Sequence, residues 1–368
     1  MIDWNHLRSH SAFVPRVTPH PPSPPFPDDV DVAIVAHNAR GPLARVLACL
    51  EAAGAPRDRI SVYDVGSTDG TGDWLRATWP GVTVRRLDQN VGPDPGRNWA
   101  LRAATRPYVL LLDGDAYIRP DVPTRLRAAF ATHPRVGTAT PIVVHADDPG
   151  RLQYAGGGLH FICEAVNPFL NRPLAERGQD VRDIGAAPAV ALLIDRAVAE
   201  RIGSWDDRYF IGKEDGDFSH RIRMGGYQLL EVPQAIVEHQ VKPRSTWLFV
   251  PQIRNRWHFL LKNYEVRTLV ILAPALIIHE TLQLAMLVAK GHFREWRQAV
   301  RELRPWLSTL RAERAVIQGI RVRPDREILE VAPLIVREDM VVGTAGRLAK
   351  RLYDGWLALY WRVARRLI

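Results

Sequence analysis

The fold of this 368-residue chain turns on PYVLLLDGD, residues 107–115. An apolar run of this length between turn residues is the pattern of a strand buried on both faces, and such strands belong to parallel sheets covered by helices. It ends in two carboxylates split by a glycine, Asp113-Gly114-Asp115. In an open α/β sheet the carboxyl ends of strands face the ligand crevice rather than the core, so this acidic pair is aimed at a ligand.

Working outward, the preceding stretch alternates strand and helix patterns. VDVAIVA (30–36) is followed by a helix from about Pro42 to Ala53, and RISVYDV (59–65) by a Gly- and Ser-rich turn and a helix near Gly72 to Thr78. VTVRRL (82–87) then leads to a helix around Gly96 to Ala104. Such alternation predicts an α/β fold with a mostly parallel, Rossmann-like central sheet flanked by helices. Beyond it, RLRAAF, RVGTATPIVV, APAVALLIDR, DFSHRIRMGGY and QLLEVPQAIVEH continue the pattern, interrupted by a loop-like stretch from Ala155 to Asp183 suited to covering an acceptor. After Pro243 only helical patterns remain. The expected organisation is a proline-rich lead-in over 1–29, a catalytic domain over 30–243, and a helical, basic extension over 244–368.

Composition narrows the function classes. The net charge of +9 is uneven: residues 241–368 hold 23 Lys and Arg against 11 Asp and Glu, leaving 26 against 29 for the rest. Basic residues beside apolar helical stretches, without aromatic RNA-binding motifs, point to an anionic membrane surface and away from nucleic acid. Two cysteines, Cys49 and Cys163, make no disulfide framework or metal-ligand spacing and fit a reducing compartment. Residues 1–26 lack the apolar core of a signal peptide, so no export is expected.

The acidic residues carry the chemistry. A carboxylate pair at a strand end suits a hard divalent cation, which takes oxygen ligands and keeps open positions for a diphosphate. Asp64, at the end of another strand, can accept from a ribose hydroxyl or the imide N–H of a base; the alternative is a cap in the following turn, the role expected of Ser67-Thr68-Asp69-Gly70. Attack of a hydroxyl on an anomeric carbon needs a carboxylate base within hydrogen-bond reach. Lys213-Glu214-Asp215-Gly216-Asp217 offers Asp215 for it, or else these acids simply complement a helix dipole. His239, closing QAIVEH, is a third metal ligand or a structural residue.

These signals occur in the order of one family. Through VAIVAHN, YDVGSTDG, QNVGPDPGRNWALR, VLLLDGD, QYAGGG, the IGSWDDRYF to KEDGDF block, GGY and VEHQ, residues 32 to about 240 resemble the family 2 glycosyltransferases, especially rhamnosyltransferase-like members. The resemblance implies a GT-A fold, a UDP-, dTDP- or GDP-linked sugar donor, Mn²⁺ or Mg²⁺, and inversion at the anomeric carbon. It gives Asp64 to the nucleoside, Asp113, Gly114 and Asp115 to the metal and diphosphate, His239 to the metal and Asp215 to the base. Asn38, Asn90, Gly92 and Asn98 fall on the donor side, and Gly157, Trp205, Asp206 and Glu214 on the acceptor side. The chain departs from the family pattern at Ala36-His37, where Thr-Tyr is common, at Val65 after Asp64, and in the stiffer Gly-Pro-Asp-Pro-Gly run at 92–96. Gln252 to Trp257 has one residue too many for the Gln-x-x-Arg-Trp of polymerising relatives, which predicts transfer of a single sugar.

In the extension, Thr268 to Ala289 is long enough to span a bilayer, but Pro274 and the central His279, Glu280, Thr281 and Gln283 oppose spanning. A central acid alone costs about 2.5–3.5 kcal/mol on insertion scales. A segment lying in the interface is expected, with Arg294, Arg297, Arg301 and Arg304 for anionic headgroups; a helical subdomain or homodimer contact would bury the same apolar face. The expected activity is therefore transfer to a glycan or glycolipid acceptor, a cell-envelope precursor, on the cytoplasmic side of the membrane by a peripheral or monotopic enzyme. A sugar-nucleotide nucleotidyltransferase would need a glycine-rich phosphate loop where this chain has AHNARGPLAR (36–45), and a non-catalytic nucleotide-sugar-binding scaffold is the remaining alternative.

Overall fold

The computed structural model describes residues 25–240, 246–336 and 343–368. Most of the proline-rich lead-in, and residues 241–243 at the end of the expected catalytic domain, therefore lie outside the described residues. The first half follows the anticipated alternation: β1 (Val30–Ala36), α1 (Arg40–Ala52), β2 (Ile60–Val65), α2 (Thr71–Thr78), β3 (Thr83–Leu87), α3 (Asp94–Ala103) and β4 (Tyr108–Asp113). A short β5 (Ala116–Ile118), α4 (Val122–Thr132), β6 (Val136–His145) and β7 (Leu152–Tyr154) come next. Then follow β8 (Gly158–Leu159), β9 (Ala165–Val166), β10 (Arg182–Asp183), β11 (Ala191–Asp195), α5 (Arg196–Arg201), α6 (Glu214–Met224) and β12 (Gln228–His239).

One ten-stranded sheet has the order β10-β12-β6-β11-β4-β1-β2-β3, with β5 paired to β12 and β7 to β6. The pairs β4-β1, β1-β2, β2-β3 and β6-β12 are parallel, and β11 is antiparallel to both β4 and β6. The apolar run of β4 is buried on both faces because successive side chains alternate across the sheet. Leu110 and Leu112 join one core with α1 and α4, while Val109 and Leu111 join another with Trp205 and Phe218. At the edge, β3 exposes Arg85 and Arg86, charges that discourage further strand addition.

The stretch from Ala155 to Asp183 is more built than its composition suggests. It forms the β8-β9 hairpin, and Phe161, Ile162 and Cys163 are fully buried in a core shared with the C-terminal helices. Those helices are α7 (Phe249–Asn263), α8 (Val266–Ala289), α9 (Phe293–Leu303), α10 (Leu310–Gly319), α11 (Asp325–Ile328) and α12 (Gly343–Leu367). A buried ion pair pins the insertion to the sheet: Arg177 donates to Glu231 of β12, whose second carboxylate oxygen accepts the Gly156 amide at 2.5 Å.

The helix α8 carries apolar residues on both faces, burying Leu272, Ala275 and Leu276. By length and composition it could cross a membrane, with mean hydropathy 1.8 over its most apolar stretch. Three of its central polar residues face the protein while Thr281 is exposed: His279 meets the Tyr353 hydroxyl, and Glu280 and Gln283 accept from Arg256. Val266, Val270, Ile277 and Leu282 are at least half exposed instead. On α12, Leu348, Leu352, Leu359, Val363 and Leu367 recur at near-helical spacing and are likewise exposed.

Replacing one partner of a buried pair strands the other's charge at a cost of about 3–5 kcal/mol. Glu231→Gln is expected to lower the unfolding free energy by that amount in a denaturant titration, far more than a substitution in the exposed Arg76–Asp73 pair.

Candidate active site

The register of a three-residue strand brings the acidic pair to its histidine. After Asp113 the chain turns and β5 runs antiparallel to β12, placing Ala116 opposite His239. Asp115 therefore lies beside a residue 124 positions away, with His239 Nε2 3.4 Å from Asp115 Oδ1. One ligand atom from each of Asp113, Asp115 and His239 fits within 4.8 Å of the others. Nδ1 of His239 is 2.9 Å from Gln153 Oε1, so in the tautomer that donates there Nε2 would turn its lone pair to the triangle. Two carboxylates and an imidazole oriented from behind suit a divalent cation such as Mn²⁺ or Mg²⁺.

Asp215 reaches the same region through a residue the motifs did not single out. Arg97, on α3 and almost fully buried, places Nη1 3.0 Å from Asp94 and 3.1 Å from Asp215, and Nη2 3.3 Å from Asp113. These acids hold its guanidinium above its ordinary range despite burial. Burial raises the Asp113 carboxyl against the opposing pull of Arg97, and raises Asp94 still more. Asp215 is fixed at its other oxygen by the Ala189 amide, 3.0 Å away. An arginine on an amphipathic helix reads as surface; the signal that could have flagged Arg97 is its place in GPDPGRN, on the same stretch as the donor-side Asn90 and Gly92.

A cleft of about 280 Å³ lies over Asp113 and Asp115, lined also by Val35 to His37, Val65, Asn90, Gly92, Pro93, Gly114, Phe210 and Ile211. Gly92 has φ +89°, and a Cβ there would sit 2.5 Å from the Phe210 carbonyl oxygen, so only glycine allows this approach. Asn90 accepts the Gly92 amide at 3.1 Å and shapes that turn. His37, one of the departures from the family pattern, lines the cleft and donates from Nδ1 to the Val65 carbonyl at 2.7 Å. Asn38 is exposed and accepts the Thr68 amide, tying the β1 end to the turn after β2.

Other sequence candidates stand apart from the cleft lining. Asp64 is buried, accepting the Ser67 amide at 2.8 Å through one oxygen, with Arg86 4.0 Å from the other. Asp69 accepts the Thr71 amide at the start of α2, a capping contact within the expected Ser67 to Gly70 turn. Asn98 exchanges hydrogen bonds with the Trp205 backbone at 2.9 and 3.0 Å, and the Trp205 ring stacks on Phe218 at 3.7 Å. Asp206 binds Arg208 and Lys262. These three residues hold the 203–213 segment in place. Gly157 packs against Tyr154, its carbonyl accepting from the Gly185 and Ala186 amides. Glu214 lies next to Asp215, and burial together with that neighbour pushes its carboxyl up to about 7.

Comparison with known proteins fits this arrangement. Residues 31–203 match the family described as Glycosyl transferase family 2. Over 297 residues the chain is 24% identical to the N-acetylglucosaminyl-diphospho-decaprenol L-rhamnosyltransferase of Mycobacterium tuberculosis, an alignment spanning 70% of this chain and 95% of that protein. The solved structure of GalNAc-T7 with UDP, GalNAc and Mn²⁺ superposes with a TM-score of 0.52 at 19% identity, covering 64% of this chain. The chain spans only 48% of that longer protein. TarS of S. aureus superposes with a TM-score of 0.51 at 16% identity, over 79% of this chain and 55% of its own. At such identities these structures speak to the fold, which is GT-A. The family match runs from β1 through both carboxylates after β4, and a relative aligns along nearly its whole length, so residues 31–203 are homologous to glycosyl transferase family 2.

Proposed function

We propose that this chain is an inverting, metal-dependent glycosyltransferase that moves a single sugar from a nucleotide-sugar donor to a hydroxyl of a lipid-linked saccharide. The observation that carries this reading is the Arg97 guanidinium, which spans from Asp113 in the candidate metal triangle to Asp215. A carboxylate base and a diphosphate site held that close together would suit the two sides of one reacting carbon. Asp215, oriented by Arg97 and the Ala189 amide, takes the proton of the acceptor hydroxyl as its oxygen forms a bond to the anomeric carbon. The bond from that carbon to the diphosphate breaks on the opposite side, which inverts its configuration. A divalent cation held by Asp113, Asp115 and His239 would supply charge to stabilise the departing diphosphate. The cleft floor at Asn90 and Gly92 is suited to the donor.

The rhamnosyltransferase relative, by its name, acts on a diphospho-decaprenol-linked sugar. A lipid-linked acceptor for this chain also accounts for the exposed apolar faces of α8 and α12 beside their arginines, which would rest on an anionic membrane surface. Nucleotide sugars are made in the cytoplasm, so the docked face would be the cytoplasmic one.

Incubation with UDP-, dTDP- and GDP-sugars plus Mn²⁺ or Mg²⁺ is expected to release nucleoside diphosphate. Pyrophosphate instead would indicate a nucleotidyltransferase, and silence across the panel a non-catalytic scaffold. Asp215→Asn should lower kcat by roughly 10²–10⁴-fold, the usual worth of a general base, with donor affinity kept. Near-normal turnover would place the base elsewhere. Asp115→Ala should instead weaken Mn²⁺-dependent donor binding, read by calorimetry with and without the ion. Val270→Glu with Ile277→Glu should cut co-sedimentation with anionic vesicles at unchanged melting temperature, since both side chains are exposed; undiminished sedimentation would remove the membrane from the proposal.

A further inference from the structure

The turn that delivers Asp215 is strained. Gly212 and Lys213 both adopt left-handed backbone, with φ of +87° and +71°. Glycine does so freely, but for a lysine the conformation costs on the order of 1–2 kcal/mol and persists only where surrounding contacts over-determine it. Two sets of contacts do so here. From α7, Asn255 donates to the Ile211 and Gly212 carbonyls at 3.2 and 2.6 Å, and Gln252 packs against Gly212. From the β8-β9 hairpin, Glu164 accepts from Lys213 Nζ at 2.6 Å.

Glu164 is itself built in. The hairpin closes with the His160 amide donating to the Glu164 carbonyl, and residues 161–163 are buried among α7, α8 and α12. Arg256, completely buried on α7, lies 3.9 Å from Glu164 through Nε and binds Glu280 and Gln283 of α8 through Nη2. His279 Nε2 faces the same Glu164 oxygen from 3.9 Å. Lys213 and Arg256 keep the Glu164 carboxyl below its ordinary range although burial opposes this. The stretch Gln252 to Trp257 thus has a use distinct from polymerisation: Gln252, Asn255 and Arg256, at helical spacings of three and four, turn one face of α7 toward the Asp215 turn and its anchor.

We propose that Glu164 is a positioning residue for the transfer reaction, holding the left-handed Lys213 turn that aims Asp215, with Arg256 carrying that hold to α8. The inference rests on Asp215 being the base. Glu164 touches no reacting atom and acts through Lys213 alone.

Hydrogen–deuterium exchange of the full-length chain tests the clamp without any donor. Glu164→Gln is expected to speed exchange in residues 209–217 by tenfold or more, leaving residues 108–118 at the wild-type rate. With the fastest donor of the nucleotide-sugar panel, the same variant should lose at least tenfold in kcat while donor KM and Mn²⁺ affinity stay within twofold, a split that general destabilisation would not produce. Lys213→Met should match it, and the double variant should be no worse than either, because both remove one pair. Should Glu164→Gln fold poorly, Arg256→Lys, which keeps the charge but not the forked geometry, is expected to give the same pattern more weakly. Wild-type exchange at 209–217 in Glu164→Gln would overturn the clamp whatever Asp215 does. Full turnover in Asp215→Asn would overturn the base assignment, and with it the catalytic part of the inference, while the exchange result stands by itself.

Discussion

Three carboxylates, Asp94, Asp113 and Asp215, come within hydrogen-bond reach of one guanidinium at the carboxyl edge of the sheet. Brought together in a partly dry site without a cation, they would repel one another and take up protons. Arg97 resolves the conflict with a rigid planar fork whose separate nitrogens reach acceptors on different sides, a spread that a lysine's point-like ammonium lacks. It also ties α3, the end of β4 and the start of α6 into one unit, although Asp215 of α6 lies more than a hundred positions from the other two in the chain. The directions in which Asp113 and Asp215 are held depend on that cation staying in place.

The C-terminal helices act on the site from behind. They share a core with the β8-β9 hairpin, so the insertion is packed against these helices as well as tied to the sheet. Its buried Phe161, Ile162 and Cys163 explain the burial, and the Arg177–Glu231 pair explains the attachment to β12. The same packing turns α8 outward. Glu280 and Gln283, which oppose a spanning helix when the segment is taken alone, are satisfied by Arg256 inside the protein. What remains outside includes Val266, Val270, Ile277 and Leu282.

Much of the fold is legible in local patterns. Strands such as VDVAIVA and PYVLLLD declare themselves because burial on both faces demands an unbroken apolar run, and the observed sheet is α/β with a mostly parallel core as those runs predict. Asp113 and Asp115 stand out for a similar reason: charge at the end of such a run has no place in the core. Less legible are residues whose meaning depends on distant partners. Asn98 looks like a donor-side residue from its motif, yet its amide is spent on the Trp205 backbone. The stretch from Ala155 to Asp183 is rich enough in Gly, Pro and Asn to read as loop, because hairpin strands of two residues are too short to show a period.

By itself, then, the sequence determined the α/β class, the strand ends that carry the acids, and the family that their order resembles, since each of these is written in contiguous residues. Only the tertiary structure decided that Asp115 meets His239, that Arg97 joins Asp113 to Asp215, and that His279, Glu280 and Gln283 of α8 point inward. The physical reason is range. Propensity and periodicity act over a few residues, whereas a strand register or a buried ion pair is set by chain segments whose meeting is fixed by the packing of the whole core.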